Sequence, residues 1–196
     1  MGDNIAWEME IEAAFARAKS EEKDVFVCWY QDGCPLTTLM DANTYPDEYV
    51  STVINQNIIP LKMAVTQGWE QPDAVPFQVQ MITTLLIMDK DKRVYQRMVG
   101  YMPPEELAAW ILLGLGKAQF YTGRFKQAIS TLDKLIAESP TDLPWVTEGM
   151  YLRGVALFRH HGETGPLTDT LKQIQTAYGD LHWGTKRASG FAVFAK

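Results

Sequence analysis

Apolar residues recur along this 196-residue chain at two periods, and the switches between them mark its elements. Over residues 5–19, Ile5, Met9, Ile11, Phe15 and Ala18 fall near helical spacing. The polar stretch from Ser20 to Asp24 closes the helix they predict. Residues 25–30, Val-Phe-Val-Cys-Trp-Tyr, are few, apolar and rich in β-formers, which predicts a buried strand. Asp32-Gly33-Cys34-Pro35 follows as a loop. A proline at the first helical position then opens a short helix, with Leu36, Leu39 and Met40 as its inner face. Residues 47–56 predict a helix with Val50, Val53 and Ile54 inward. Residues 58–65 predict a strand that tolerates Pro60 near its start or on an edge. Residues 66–78 form a polar connection. Strands are expected over 84–88 and 93–99, joined by the turn Asp89-Lys90-Asp91-Lys92. Pro103-Pro104-Glu105-Glu106 starts another helix, its acids suited to the positive helix end. Strands linked by helices and followed by a late hairpin predict an α/β architecture, a mixed sheet with helices on both faces.

From about residue 111 the pattern is helical throughout. Leu112, Leu115, Gly116, Gln119, Ala128, Leu132, Leu135 and Pro140 fall at the spacing of a tetratricopeptide helical hairpin, with Gly123 at its turn. Repeats of that class run to about 34 residues. A second, weaker copy spans residues 145–178, with Gly154 in the small-residue place of its first helix. The expected division is residues 1–110 and residues 111–196. The tail, 179–196, carries Gly184, Ser189 and Gly190 beside Phe191, Val193 and Phe194, and reads as either a docked or a partly disordered segment.

Composition narrows the function classes. The chain is 46% hydrophobic and 21% charged with a net charge of −6. That is ordinary for a globular protein, and it argues against non-specific nucleic-acid binding, which needs a basic face. No apolar stretch reaches membrane-spanning length, and the N-terminus lacks the charged and apolar regions of a secretory leader. Two cysteines are too few for a disulfide framework. A cytoplasmic, reducing setting is therefore expected, although removal of a leader would leave the same picture. No phosphate-binding glycine loop or dinucleotide fingerprint occurs, and no cofactor is expected.

The chemistry concentrates at Cys34-Pro35-Leu36-Thr37, which reads as a redox Cys-x-x-Cys loop lacking its second cysteine. Dithiol exchange needs one sulfur to attack and another to resolve the mixed disulfide. Thr37 has no sulfur. A thiol at a helix N-terminus meets unpaired N–H groups and the positive dipole end, which favour thiolate. Thr37, about one turn on, is placed to donate a hydrogen bond to it. Cys28, inside the predicted strand, is expected to act as a small buried hydrophobe rather than as a resolving thiol. Among other residues, His160-His161 at a helix end fit a charge role better than a metal site, since adjacent helical side chains diverge. Asp89 and Asp91 are turn residues, and Glu21-Glu22 and Glu105-Glu106 are solvated.

Four separated stretches, residues 23–40, 45–62, 79–89 and 99–107, resemble in order the thioredoxin-like superfamily, in particular its disulfide-isomerase-like and reductase-like branch. The resemblance implies a strand running into Trp-Cys-x-x-Cys at a helix start. It also implies a Thr-Pro-Thr element whose cis proline faces the cysteines. Gly100-Tyr101-Met102-Pro103-Pro104-Glu105-Glu106 matches the segment that starts the last helix of that fold. The chain departs from the family pattern at four places. Gly33 stands for tryptophan, Thr37 for the resolving cysteine, Thr83 for the cis proline, and Cys28 for the buried acid of thioredoxins proper. A non-prolyl cis bond costs about 3 kcal/mol, so the Ile82–Thr83 bond is expected to be trans. The combined reading is a redox-degenerate thioredoxin-like domain with a helical-hairpin extension. It would bind a polypeptide or protein partner through the Cys34/Thr83 face and the helical hairpins. Cys34 and Thr37 would carry any chemistry, and Gly33, Pro35, Trp69, Ile82 and Thr83 would line the binding face. The alternative is a monothiol redox protein in which Cys34 alone forms mixed disulfides with glutathione or a client thiol.

Overall fold

The computed structural model describes residues 4–66 and 72–178. Residues 179–196, with the segment that reads as docked or disordered, lie outside the described residues, as does Trp69. The chain divides into two compact units between Gly114 and Leu115.

In the first unit the order is α1 (Ile11–Glu21), β1 (Asp24–Tyr30), α2 (Pro35–Leu39), a π-helical turn (Met40–Thr44), α3 (Glu48–Asn57), β2 (Ile58–Ala64), a 3-10 turn (Val75–Phe77), β3 (Thr84–Met88), β4 (Val94–Val99) and the start of α4 (Pro104–Tyr121). The strands form one sheet in the order β2-β1-β3-β4. β1 runs parallel to β2 and antiparallel to β3, and β3 pairs antiparallel with β4. This is the mixed sheet that the pattern predicts. β1 is buried on both faces along nearly its whole length, which explains why its sequence is continuously apolar rather than alternating.

α1 presents Ile11, Ala14, Phe15 and Ala18 to one face of the sheet, where they meet Val25, Val27, Trp29, Ile59 and Leu61. The helix expected from residue 5 begins only at Ile11. The preceding residues run extended along β2: Glu8 N–H donates to Pro60 O at 2.8 Å, and Lys62 N–H donates to Glu8 O at 2.9 Å. The open edge of β2 offers these backbone groups partners, and this overrides the local helical period. On the opposite face, Trp7, Phe26, Tyr45 and Trp110 form a chain of ring contacts 5.2–6.5 Å between centroids. There α4 lies so close that a Cβ on Gly114 would stand 2.5 Å from Ile87 Cγ1.

Side chains set the remaining boundaries. Asp47 caps α3 by accepting from Val50 N–H at 2.9 Å. Asp89 Oδ1 accepts from the Asp91 and Arg93 N–H groups and fixes the hairpin turn, as the sequence predicts. One inner-face expectation is reversed: Leu39 is 43% exposed, and Thr37 takes the inward place beside Met40. α2 is only five residues long before the π-helical turn, so the inward direction is set by Thr37 and its buried partner.

The second unit is helical: the end of α4, then α5 (Phe125–Glu138), α6 (Pro144–His161) and α7 (Gly165–Tyr178). A Cβ on Gly116 would meet Leu132 of α5, and one on Gly154 would meet Thr170 of α7. Each glycine thus faces the residue sixteen positions further along. Lys117 pairs with Glu148 at 3.0 Å, and Arg153 pairs with Asp133. His160 and His161 sit in the last turn of α6, ahead of Gly162 in the left-handed region. Among the described residues, no helix is long and apolar enough to cross a membrane, and no cluster of metal-ligating side chains forms.

Candidate functional site

β1 delivers the chain through Gln31-Asp32-Gly33 to Cys34, which is the N-cap residue of α2. Gly33 adopts φ +77°, a conformation glycine takes without a Cβ penalty, and this turns the chain from strand to helix. Pro35 then occupies the first helical position, and Thr38 N–H donates to Cys34 O at 3.0 Å, closing the first turn. Gly33 and Pro35 are exposed and Cys34 is half-buried, so the thiol stands at the surface.

Cys34 makes no full side-chain cap hydrogen bond, but donors converge on its sulfur. Its pKa is held below the ordinary thiol value, chiefly by the Thr37 backbone N–H. Partial burial opposes this shift, and the Leu36 N–H and the Thr37 hydroxyl add to it.

The Thr37 hydroxyl has a second neighbour. Thr37 Oγ1 and Thr83 Oγ1 lie 3.1 Å apart, both buried. A hydroxyl has one proton and two lone pairs. When Thr83 donates to Thr37, the Thr37 proton is left for the Cys34 sulfur, so the three residues form one directed chain. The Ile82–Thr83 peptide bond is cis, which corrects the expectation of a trans bond. Tertiary context overrides the intrinsic preference here. Thr83 is fully buried, bonds Thr37 through its hydroxyl and accepts from Gly100 N–H at 2.8 Å through its carbonyl. Ile82 is half-buried against the core, and Met81 beside it is 61% exposed.

Cys28, in β1, is fully buried, and neither cysteine is in a disulfide. Its sulfur accepts a hydrogen bond from the Tyr45 hydroxyl at 3.1 Å, so its setting is more specific than that of a simple hydrophobe. Lys62, which pairs with Cys28 in the strand register, lies 5.1–5.7 Å from the ring centres of Trp7, Tyr30 and Tyr45 and pairs with Asp41 at 2.6 Å. Sequence reasoning missed this cluster. Its members are scattered over 56 positions, from Trp7 to Lys62, and only the strand register and the helix after Cys34 bring them together. Of the predicted site residues, the structure gathers Cys34, Thr37 and Thr83, with Gly33, Pro35 and Ile82 on their flanks.

A strand that turns through a glycine into a thiol-capped helix, faced by a cis peptide ahead of a strand, defines a thioredoxin-fold domain with one of its two redox sulfurs. The sequence matches the thioredoxin-like domain family over residues 11–114, and the chain belongs to that family. No curated protein matches. Similar solved structures include a candidate disulphide-isomerase from Bacteroides thetaiotaomicron, at 26% identity over 58% of this chain and 95% of that one, with a TM-score of 0.49. The oxidised C-terminal domain of DsbD from Neisseria meningitidis is similar at 15% identity over 56% of this chain and 99% of that one, with a TM-score of 0.47. A thioredoxin-fold protein from Helicobacter pylori is similar at 15% identity over 59% and 85%, with a TM-score of 0.45.

Proposed function

We propose that this protein is a redox-degenerate thioredoxin-like protein that captures a polypeptide partner at the Cys34/Thr83 face. The observation that carries the reading is the buried Thr37–Thr83 hydroxyl pair, 3.1 Å apart, which stands where the family places a resolving sulfur and a proline. With Cys28 buried and bonded to Tyr45, no second sulfur is presented to resolve a disulfide at Cys34. The exposed surface around Gly33, Pro35 and Met81 supports contact with a chain lying across the site. The helical unit is read as two tetratricopeptide-like hairpins that add a second contact surface, supported by the equal sixteen-residue offsets from Gly116 and Gly154. The proposed setting is cytoplasmic and reducing, where both thiols stay free.

The lowered Cys34 pKa favours a second reading, a monothiol redox protein. The Cys34 thiolate would attack a disulfide of glutathione or of a client protein. A bond would form between Cys34 and one sulfur, and the other sulfur would leave as thiolate. The alkylation rate of Cys34 against pH, in a Cys28→Ser background, separates the two. An apparent pKa below about 8.5, with mixed disulfides that a second thiol reverses, supports the monothiol reading. Retention of a partner by Cys34→Ser as well as by wild type supports binding without chemistry. Loss of all partner retention in Cys34→Ser overturns it.

A further inference from the structure

Arg97 and Val99 project from the same face of β4, two residues apart, and Val99 pairs in register with Thr84 of β3. Beside them runs the segment Gln78-Val79-Gln80-Met81, which leads into Ile82 and Thr83. Gln78, Gln80, Met81, Thr84, Arg97 and Val99 enclose a groove of about 280 Å³.

The groove has an apolar part and a cationic part. Met81 is 61% exposed and Val99 41% exposed, one on each side. The Arg97 guanidinium donates through Nη1 to Gln78 O at 3.2 Å and through Nη2 to Phe77 O. A guanidinium has five N–H donors, so three remain. No carboxylate pairs with Arg97 among the described residues; burial lowers its pKa and no acid counters that shift. The site therefore has a planar cation beside apolar surface, and no anion among the described residues complements it. β4 is also the last strand of the sheet, its outer edge unpaired among the described residues, so an extended segment can lie along it.

We propose that this groove receives an extended segment of the partner polypeptide, with an internal Asp or Glu side chain on Arg97 and an apolar neighbour on Met81 and Val99. The free edge runs from Val94 to Val99, past Arg97 in both directions, so an extended segment has room to continue on either side of the acid. The inference rests on polypeptide capture at the Cys34/Thr83 face and specifies the sequence captured. Thr84 is opposite Val99, and an extended chain advances about 3.3 Å per residue. Gly100, three residues past Arg97, bonds Thr83 O, so the acid lies about three residues from the residue level with Thr83.

The test uses short synthetic peptides whose single cysteine is activated as a mixed disulfide with thionitrobenzoate. An apolar residue follows Glu, Gln or Lys at that spacing. The Cys34 thiolate attacks the peptide sulfur and releases coloured thionitrobenzoate, which reports the trapping rate in the full-length protein. The small symmetrical reagent without peptide gives the baseline. Wild type is expected to trap the Glu peptide about tenfold faster than the Gln peptide and to disfavour the Lys peptide. The preference is expected to shrink with added salt. Arg97→Gln is expected to abolish it. Met81→Glu, at an exposed position that folding does not depend on, is expected to abolish it too. Equal trapping of the Glu and Gln peptides, both faster than the baseline, would overturn the acidic-groove proposal while leaving polypeptide capture standing. No peptide exceeding the baseline would remove polypeptide capture and the groove proposal with it.

Discussion

Valine at Thr37, at Thr83, and at both positions measures what the buried hydroxyl pair is worth. The two oxygens are 3.1 Å apart and neither residue is more than 5% exposed. Removing one hydroxyl leaves the other without its partner in a site closed to water, which costs about 1–3 kcal/mol. Removing both replaces the pair with methyl groups of the same shape, which is close to neutral. Each single variant is therefore expected to lose about 1–2 kcal/mol. The double variant is expected to lose no more than either single, a coupling of at least about 1–2 kcal/mol. With a urea m-value of about 2 kcal/mol/M, the single variants should unfold at midpoints lower by roughly 0.5–1 M, at unchanged slope. Losses that simply add in the double variant would refute the pairing. The same variants sort the donors to Cys34. Thr37→Val should raise the apparent pKa of Cys34 but leave it below the ordinary value, because the backbone N–H groups of Thr37 and Leu36 remain. Thr83→Val should move it less, since Thr37 keeps its own proton to donate. A larger shift from Thr83→Val than from Thr37→Val would refute the order of the chain.

Other consequences are simpler to read. The folded-state pKa of Cys34 lies below its unfolded value, so ionised Cys34 stabilises the fold above the unfolded pKa, about 8.5, and that contribution is lost as pH falls through the folded pKa. Wild type should therefore gain stability over Cys34→Ser as pH rises from neutral, with the difference levelling above about pH 9; a flat difference in thermal midpoint would refute this. Asp47→Ala removes the cap on Val50 N–H and should cost about 1 kcal/mol in urea unfolding, while Asp47→Ser should restore most of it. Gly114→Ala drives a methyl into Ile87 and should cost about 1–3 kcal/mol; an unchanged midpoint would show that α4 does not lie so close to β3.

How far the fold was legible follows from how local each signal is. β1 and β3 are apolar runs bounded by turn residues, and both fall within a residue of where the pattern places them, because burial on both faces leaves only their first residues, Asp24 and Thr84, polar. The segment ahead of α1 misleads because Ile5 and Met9 keep a helical period while the backbone of Glu8 finds partners on β2, 52 positions away at Pro60. Leu39 misleads for a related reason: hydrophobicity points it inward, but a buried hydrogen bond from Thr37 sets the rotation of α2. The candidate site was legible at Cys34, Thr37 and Thr83 because a motif with known spacing could be compared with what replaced it. Arg97, Met81 and Lys62 were not, because nothing in their neighbours along the chain distinguishes them. Only register and loop path give Arg97 its carbonyl partners and Lys62 its three rings.

The polar groups that stand where the family places a sulfur, a proline and an acid all have buried partners. A threonine at position 37 facing a proline would keep only the Cys34 sulfur as a partner for its hydroxyl. Here Thr83 supplies the second hydroxyl at 3.1 Å, and the pair fills the space behind the surface thiol. Position 28 behaves in the same way, because its thiol is engaged by Tyr45 from the segment after α2 rather than left loose in the core. Each substituted polar group that faces Cys34 or lies beneath it thus has a partner from a different part of the chain. A site kept only by inertia has no physical reason to satisfy its buried hydroxyls in pairs, since an apolar residue at either position would remove the desolvation cost of that group. The paired arrangement leaves Gly33, Pro35 and Met81 exposed and Cys34 half-buried at the surface. That geometry supports the proposed capture of a polypeptide at this face, which needs no disulfide to be resolved.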